Sequence, residues 1–196
     1  MTSFEPYIEH RDSLSEIPLQ ASGGKTMIIE IGPGTSFGSE HPTTRLCKRG
    51  IEEIFKLRNI ETVLDFGCGS GILGICAGAL GAEHILAMDI DPIAVNETKE
   101  NVIRNKLGPR VKIIKGSWDK VDREFELVIA NLVTANIVSM TDEFKLVLKN
   151  GGILLVSGIS ATKRGVAISG LENAGFKLNR EYIEGGWTAT WFELLQ

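Results

Sequence analysis

The sequence predicts an α/β fold: a mostly parallel sheet with helices on both faces and an antiparallel hairpin at one edge. Three observations predict it. Between residues 62 and 157, short apolar runs alternate with segments of helical length and spacing. The first of these runs leads into a glycine-rich turn and then a helix start. After Gly175 two apolar runs follow each other without a helical segment between them.

The elements follow in order. Residues 1–26, with Pro6, Pro18 and Gly23-Gly24, read as an irregular or partly helical lead-in, and 27–196 as one domain. Residues 62–66 and 85–88 read as strands, each closed by a glycine-rich or acidic turn, and 111–115, 126–130 and 152–157 continue the series. Between them, 71–80, 92–104 and 133–148 have helical length, the last repeating Val133, Ile137, Met140, Phe144 and Leu148. Asp91-Pro92 is a helix start, with Asp at the cap and Pro at the first helical position. Residues 176–183 and 188–194 are the two late strands, and they bring the sheet to seven.

Composition narrows the classes. A chain of 196 residues that is 43% hydrophobic and 23% charged can bury a sizeable core and is not a disordered polymer. The longest charge-free apolar run, residues 127–140, is too short to span a bilayer, and no basic start leads into an apolar stretch. Cys47, Cys68 and Cys76 form no metal-type pair and suit a reducing compartment, and His10, His41 and His84 are scattered. The reading is of a soluble cytoplasmic chain with no metal site. Residues 1–40 hold six acidic and two basic side chains, and this accounts for the net charge of −4. That balance disfavours a nucleic-acid surface and suits a basic protein partner. The basic side chains Lys99, Arg104, Lys106, Arg110, Lys112 and Lys115 have no aromatics among them and read as a solvated face.

The most informative segment is Val63-Leu64-Asp65-Phe66-Gly67-Cys68-Gly69-Ser70-Gly71. Its glycines let a ligand approach the backbone, and amides at the helix start favour a carboxylate or phosphate. Two acids decide between ligands. Asp65, immediately before the glycines, would repel a pyrophosphate but would help a cationic amino group or sulfonium. Asp89, closing the second strand, is placed to accept from ribose hydroxyls. A turn cap for Asp65 and a helix cap for Asp89 are the structural alternatives. In register with the glycine loop, the pair points to S-adenosylmethionine, not NAD. Cys68 reads as a small residue filling the turn.

At this point the residues resemble a known family. Asp65-Phe66-Gly67-Cys68-Gly69-Ser70-Gly71 followed by Met88-Asp89-Ile90-Asp91-Pro92 looks like a Rossmann-like class I methyltransferase. Phe37-Gly38-Ser39-Glu40-His41-Pro42-Thr43-Thr44 is similar to the Phe-Gly-Thr-Gly-x-His-Pro-Thr-Thr signature of the PrmA ribosomal-protein methyltransferases. Ala130-Asn131-Leu132 and Val156-Ser157-Gly158-Ile159 match the family's stretches after its fourth and fifth strands. The resemblance implies that Thr44, Gly67, Gly69 and Gly71 hold the cofactor, that Asp89 holds its ribose, and that Asn131 borders its methyl group and amino end. It also implies that Phe37 and His41 line the mouth of the active site and that Trp187 walls the substrate channel. An aromatic face near a sulfonium gains a cation–π contribution. Trp187 packing over the core is the structural alternative.

Two departures stand out. The signature is one residue shorter here, which puts Glu40 beside His41. The family's substrate-recognition domain does not fit in the roughly 26 residues ahead of the match, so the catalytic domain and amine methylation carry over and the ribosomal substrate does not. Methyl transfer needs alignment and exclusion of water, and a lysine amine must also arrive deprotonated. Glu40 and His41 are the residues nearest to assist. A protein amine methyltransferase, with a dimer mate as one source of acceptor recognition, is the leading reading. A methyltransferase of RNA or a small metabolite and a non-catalytic cofactor-binding module are the others.

Overall fold

The computed structural model describes residues 13–35 and 40–195. In chain order the elements are β1 (Ser15–Gln20), β2 (Thr26–Ile31), α1 (Pro42–Leu57), β3 (Thr62–Phe66), α2 (Ile72–Leu80), β4 (His84–Asp89), α3 (Pro92–Arg104) and β5 (Val111–Lys115). They continue with β6 (Phe125–Asn131), α4 (Thr134–Ser139), α5 (Thr141–Val147), β7 (Leu148–Ser160), α6 (Arg164–Asn173), β8 (Phe176–Glu184) and β9 (Trp187–Leu194). A seven-stranded sheet runs in the order β5-β4-β3-β6-β7-β9-β8. The first five of these strands are parallel, and β9 pairs antiparallel with both β7 and β8. The register sets Phe66 beside both Met88 and Ala130, so the carboxyl ends of β3, β4 and β6 open along one edge.

Strand alternation sorts the core. Val63, Ile85, Leu127 and Ile153 belong to one apolar cluster, on the side of α1–α3, and Leu64, Leu86, Val128 and Leu154 to the other, on the side of α4–α6. The first side carries an additional layer. β1 and β2 form an antiparallel hairpin outside the main sheet, and its Ile17, Leu19, Ile29 and Ile31 join the α1–α3 cluster. Every residue of α2 from Ile72 to Gly78 is buried, because the helix has covering on opposite sides and needs no polar stripe. Polar clamps fix the hairpin: Gln20 N–H donates to Glu52 Oε1 (2.8 Å), and Lys48 Nζ reaches the Pro18 carbonyl (3.0 Å).

Three sequence expectations are corrected. The lead-in is neither irregular nor helical over residues 15–20; it is a strand, and the boundary drawn at 26/27 falls inside β2. The Ile17/Leu19 and Ile29/Ile31 alternations each bury one face of a half-exposed ribbon. The helix expected over 133–148 breaks at Met140, whose φ of −108° and ψ of 19° leave the helical region. Ile137 and Phe144 still reach the core, while Val133 stays exposed and Leu148 already pairs with Phe125 as the start of β7. Finally, α6 was not expected. Ala167 and Leu171 bury its inner face, but Gly165 and Gly170 weaken the local helical signal.

Candidate active site

The chain leaves β3 through three left-handed glycines: Gly67 (φ 71°), Gly69 (φ 55°) and Gly71 (φ 78°). Two of them are also closed to side chains. A Cβ on Gly67 would stand 2.8 Å from Leu132 Cδ2, and one on Gly71 would stand 2.7 Å from Thr98 Cγ2. Four of the loop's amides are spent on protein acceptors. Gly67 and Cys68 both donate to the Met88 carbonyl (2.9 and 3.0 Å), and Gly71 donates to the Cys68 carbonyl (2.8 Å). Gly69 donates to Asp89 Oδ2 (3.0 Å), whose Oδ1 accepts from Asp91 N–H (3.0 Å). Asp91 in turn caps α3 through Ile93 N–H (2.8 Å). A pyrophosphate would have to compete with these acceptors for the loop's donors.

A cavity of about 450 Å³ opens in front of this loop. Its walls come from Thr44 in the first turn of α1, Gly67–Ser70, Asp89 and Ile90 after β4, and Gly116 and Ser117 after β5. Asn131 and Leu132 at the end of β6, with Asn136 and Met140 around α4, close the other side. Phe66 also lines it and is backed by Trp118, stacked at 3.7 Å between ring centroids. The size and the few convergent polar groups fit a small-molecule site. Among the described residues no cluster of His, Cys, Asp or Glu could hold a metal ion.

Of the residues the sequence singled out, Thr44, Gly67, Gly69, Asp89 and Asn131 come together on this cavity. Asp65 and Gly71 are not among its lining residues. Asp65 shares a face with Val63, turns under α2 and accepts the Gly74 N–H (2.8 Å). Burial, reinforced by the nearby Asp89 charge and opposed by the Gly74 hydrogen bond, pushes its carboxyl up to about 7. The turn-cap alternative therefore describes Asp65. Asp89 and Asp91 are the acids that line the cavity, and both also accept backbone N–H groups.

His41 and Glu40 are likewise absent from the cavity wall; they stand at the N-terminus of α1, three or four residues before Thr44. The His41 ring caps that helix: Nδ1 accepts from Thr43 N–H (3.3 Å) and lies 2.7 Å from Thr43 Oγ1. Nδ1 is thus engaged with the first turn of α1. The ring meets Trp187 edge to face at 5.5 Å. Arg45 bonds the Glu40 carbonyl and the Glu184 carboxylate, tying this lip to the β8–β9 turn. Phe37 lies outside the described residues. Cys68 fills the turn 3.3 Å from Thr98 Oγ1, and burial pushes its thiol up, out of reactive range.

The sequence reading missed several supporting residues. Thr98 Oγ1 donates to the Gly69 carbonyl (2.8 Å), and Asn101 Nδ2 donates to the Ser70 carbonyl (2.9 Å). Gly158 (φ 85°) passes so close to the segment after Asn131 that a Cβ would stand 2.0 Å from the Leu132 carbonyl oxygen. The helical spacing of Thr98 and Asn101 was visible, but not which face of α3 meets the loop.

Comparison with known proteins follows the same geometry. The model of the family described as ribosomal protein L11 methyltransferase (PrmA) matches residues 13–194. The chain belongs to this family. A ribosomal protein L11 methyltransferase of Clostridium perfringens is 37% identical over 84% of this chain and 52% of its own length. One from Lactococcus lactis subsp. cremoris is 36% identical over 87% of this chain and 54% of its own. The chain thus spans about half the length of the curated relatives it matches. The crystal structure of a ribosomal protein L11 methylase from Lactobacillus delbrueckii subsp. bulgaricus superposes with a TM-score of 0.78 at 29% identity, covering 85% of this chain and 84% of that one.

Proposed function

We propose that this chain is an S-adenosylmethionine-dependent methyltransferase that methylates an amine, a lysine side chain or an N-terminus, of a protein. The observation that carries the reading is the glycine loop with its Gly67, Cys68, Gly69 and Gly71 amides spent on protein acceptors, facing a cavity bordered by Asp89, Asp91, Asn131 and Asn136. Such a wall suits a cationic, phosphate-free cofactor and not a dinucleotide. Family membership supports the same chemistry, and the relatives' names supply the protein acceptor.

The cofactor supplies the methyl group on its sulfonium. Thr44, Gly67 and Gly69 would hold the methionine end, and Asp89 would accept from the ribose hydroxyls. Asn131 contributes a donor and an acceptor beside the methyl group without the desolvation cost of a charge. His41 and Trp187, packed edge to face, bound the mouth through which the acceptor amine comes, with His41 shaping the lip rather than taking the proton. Transfer is an in-line displacement, so alignment and exclusion of water do most of the work. The cytoplasm is the compartment for such a substrate, and a homodimer is one way to complete acceptor recognition.

Isothermal titration with S-adenosylmethionine and S-adenosylhomocysteine, with NAD as control, tests the cofactor. Micromolar binding is expected for the first two only. Asp89→Ala should weaken it about 100-fold, the scale of losing hydrogen bonds to a charged group. Incubation with radiolabelled cofactor and ribosomal protein L11, then with a cell lysate, tests the acceptor. Label in RNA or small metabolites and none in protein would overturn the amine assignment.

A further inference from the structure

α3 holds the glycine loop from behind through two side chains one turn apart. Thr98 takes the Gly69 carbonyl and Asn101 the Ser70 carbonyl, and both side chains are buried. Asn101 has a second partner at its other end: Oδ1 accepts the N–H of Gly32, the residue that follows β2 (2.8 Å). A single amide side chain therefore bridges the N-terminal hairpin and the cofactor loop. The junction is tight, since a Cβ on Gly32 would stand 3.3 Å from that same Oδ1 and 2.8 Å from Arg104 Nη2.

One turn later Asn105 docks the hairpin alone. Its Oδ1 accepts from Glu30 N–H (2.9 Å), and its Nδ2 donates to the Glu30 carbonyl (2.7 Å) and the Asn101 carbonyl (2.8 Å). Asparagine is a poor helix former, so a pair at this spacing near the end of α3 is a local cost that these outside bonds offset. The two residues offer a natural control: both touch the hairpin, and only Asn101 touches the loop.

We propose that Asn101 is a positioning residue for cofactor binding, one that makes the shape of the glycine loop depend on the docked hairpin. Holding the Ser70 carbonyl keeps the loop in the turn that aims Gly69 N–H at Asp89; holding Gly32 ties that turn to β2. Coupling of this kind is reciprocal, so a ligand in the cavity must also steady the hairpin. The inference rests on the cofactor reading above.

The test combines titration with S-adenosylhomocysteine and hydrogen exchange of the hairpin amides. Asn101→Ala should raise the Kd about tenfold or more, while Asn105→Ala, which loosens the hairpin but leaves Asn101 holding both Gly32 and Ser70, should raise it by a clearly smaller factor. Asn101→Asp keeps an acceptor for Gly32 but sets a carboxylate against the Ser70 carbonyl. It should weaken binding with hairpin exchange unchanged, an outcome that a purely structural role does not produce. In the wild-type protein, S-adenosylhomocysteine should slow exchange across residues 26–32, a measurement that needs no variant to fold. Unchanged exchange on ligand binding, Asn101 variants that bind like wild type, or equal losses in Asn105→Ala would each overturn the proposal alone. A wild-type protein that binds no S-adenosylhomocysteine would overturn the cofactor reading, and the proposal with it.

Discussion

The two faces of the central sheet are covered to different depths. On one face α1, α2 and α3, of 16, 9 and 13 residues, lie between the sheet and the N-terminal hairpin. On the other, α4, α5 and α6 are 6, 7 and 10 residues long and leave Val133, Leu146 and Val166 exposed. The cavity lies on the seam. Its loop side, Thr44 and Gly67–Ser70, is built from the deep face; Asn131, Leu132, Asn136 and Met140 come from the shallow one. The difference teaches where precision is placed. The loop whose Gly69 and Ser70 carbonyls are held by α3 is backed by helices and, through Asn101, by the hairpin. The side that borders the acceptor under the proposed function is thinner, and Gly158 crosses it at close range.

That crossing offers the largest test. Gly158→Ala puts a methyl group into the Leu132 carbonyl at a left-handed position, and it should cost about 3–5 kcal/mol in chemical denaturation and abolish methyl transfer. A loss below about 1 kcal/mol would mean that the shallow side gives way and that Asn131 is not fixed by this contact.

Next comes the hairpin. Leu19 is fully buried, so Leu19→Ala should cost about 2–4 kcal/mol, whereas Val166→Ala on the exposed surface of α6 should cost less than about 0.5 kcal/mol. Similar losses would erase the contrast between the faces.

Asp65 sharpens the comparison through pH. Its carboxyl sits near 7 in the folded chain against an ordinary 3.8, so the folded state binds the proton more tightly. The stabilisation is complete below pH ~4 and is lost as pH rises through ~7, an effect on the order of 4 kcal/mol. Asp65→Asn keeps an oxygen for Gly74 N–H and should flatten stability across that window while raising it at pH 8. A variant that retained the wild-type slope would place the buried proton elsewhere.

The smallest effect on stability is expected at the lip. Arg45→Ala breaks half-exposed contacts to Glu40 and Glu184, which contribute about 0–1 kcal/mol. The KM for the protein acceptor should nevertheless rise several-fold with the S-adenosylhomocysteine Kd unchanged, because the lip and the β8–β9 turn lose their tie. A shift in cofactor affinity instead would assign Arg45 to the deep side.

Much of this architecture was legible in the sequence. β3, α3 and β5 have the bounds that their apolar runs predicted, and Asp91 caps α3 as the Asp-Pro pair implied. The hairpin was hidden because its alternation contains Pro18 and Glu30 and becomes meaningful only against α1–α3. The break at Met140 was hidden because the apolar spacing continues through it. Asp65 illustrates a signal present but unused: Val63 and Asp65 share a strand parity, which directs the acid beneath α2 and away from the cavity. Asn101 had no signal of its own, since its partners lie 31 and 69 residues away.

The order of the sheet edge bears on how the chain is made. β9 follows every other strand in sequence, yet it lies inside the sheet, between β7 and β8. While the protein is being synthesised, the outer edge of β7 stays without a partner until residues 187–194 emerge. Its apolar run Ile153–Val156 is then a row of open backbone donors and acceptors, the kind of edge that recruits a strand from another chain. The parallel core can assemble early, but protection of the β7 edge from misassembly waits for β9.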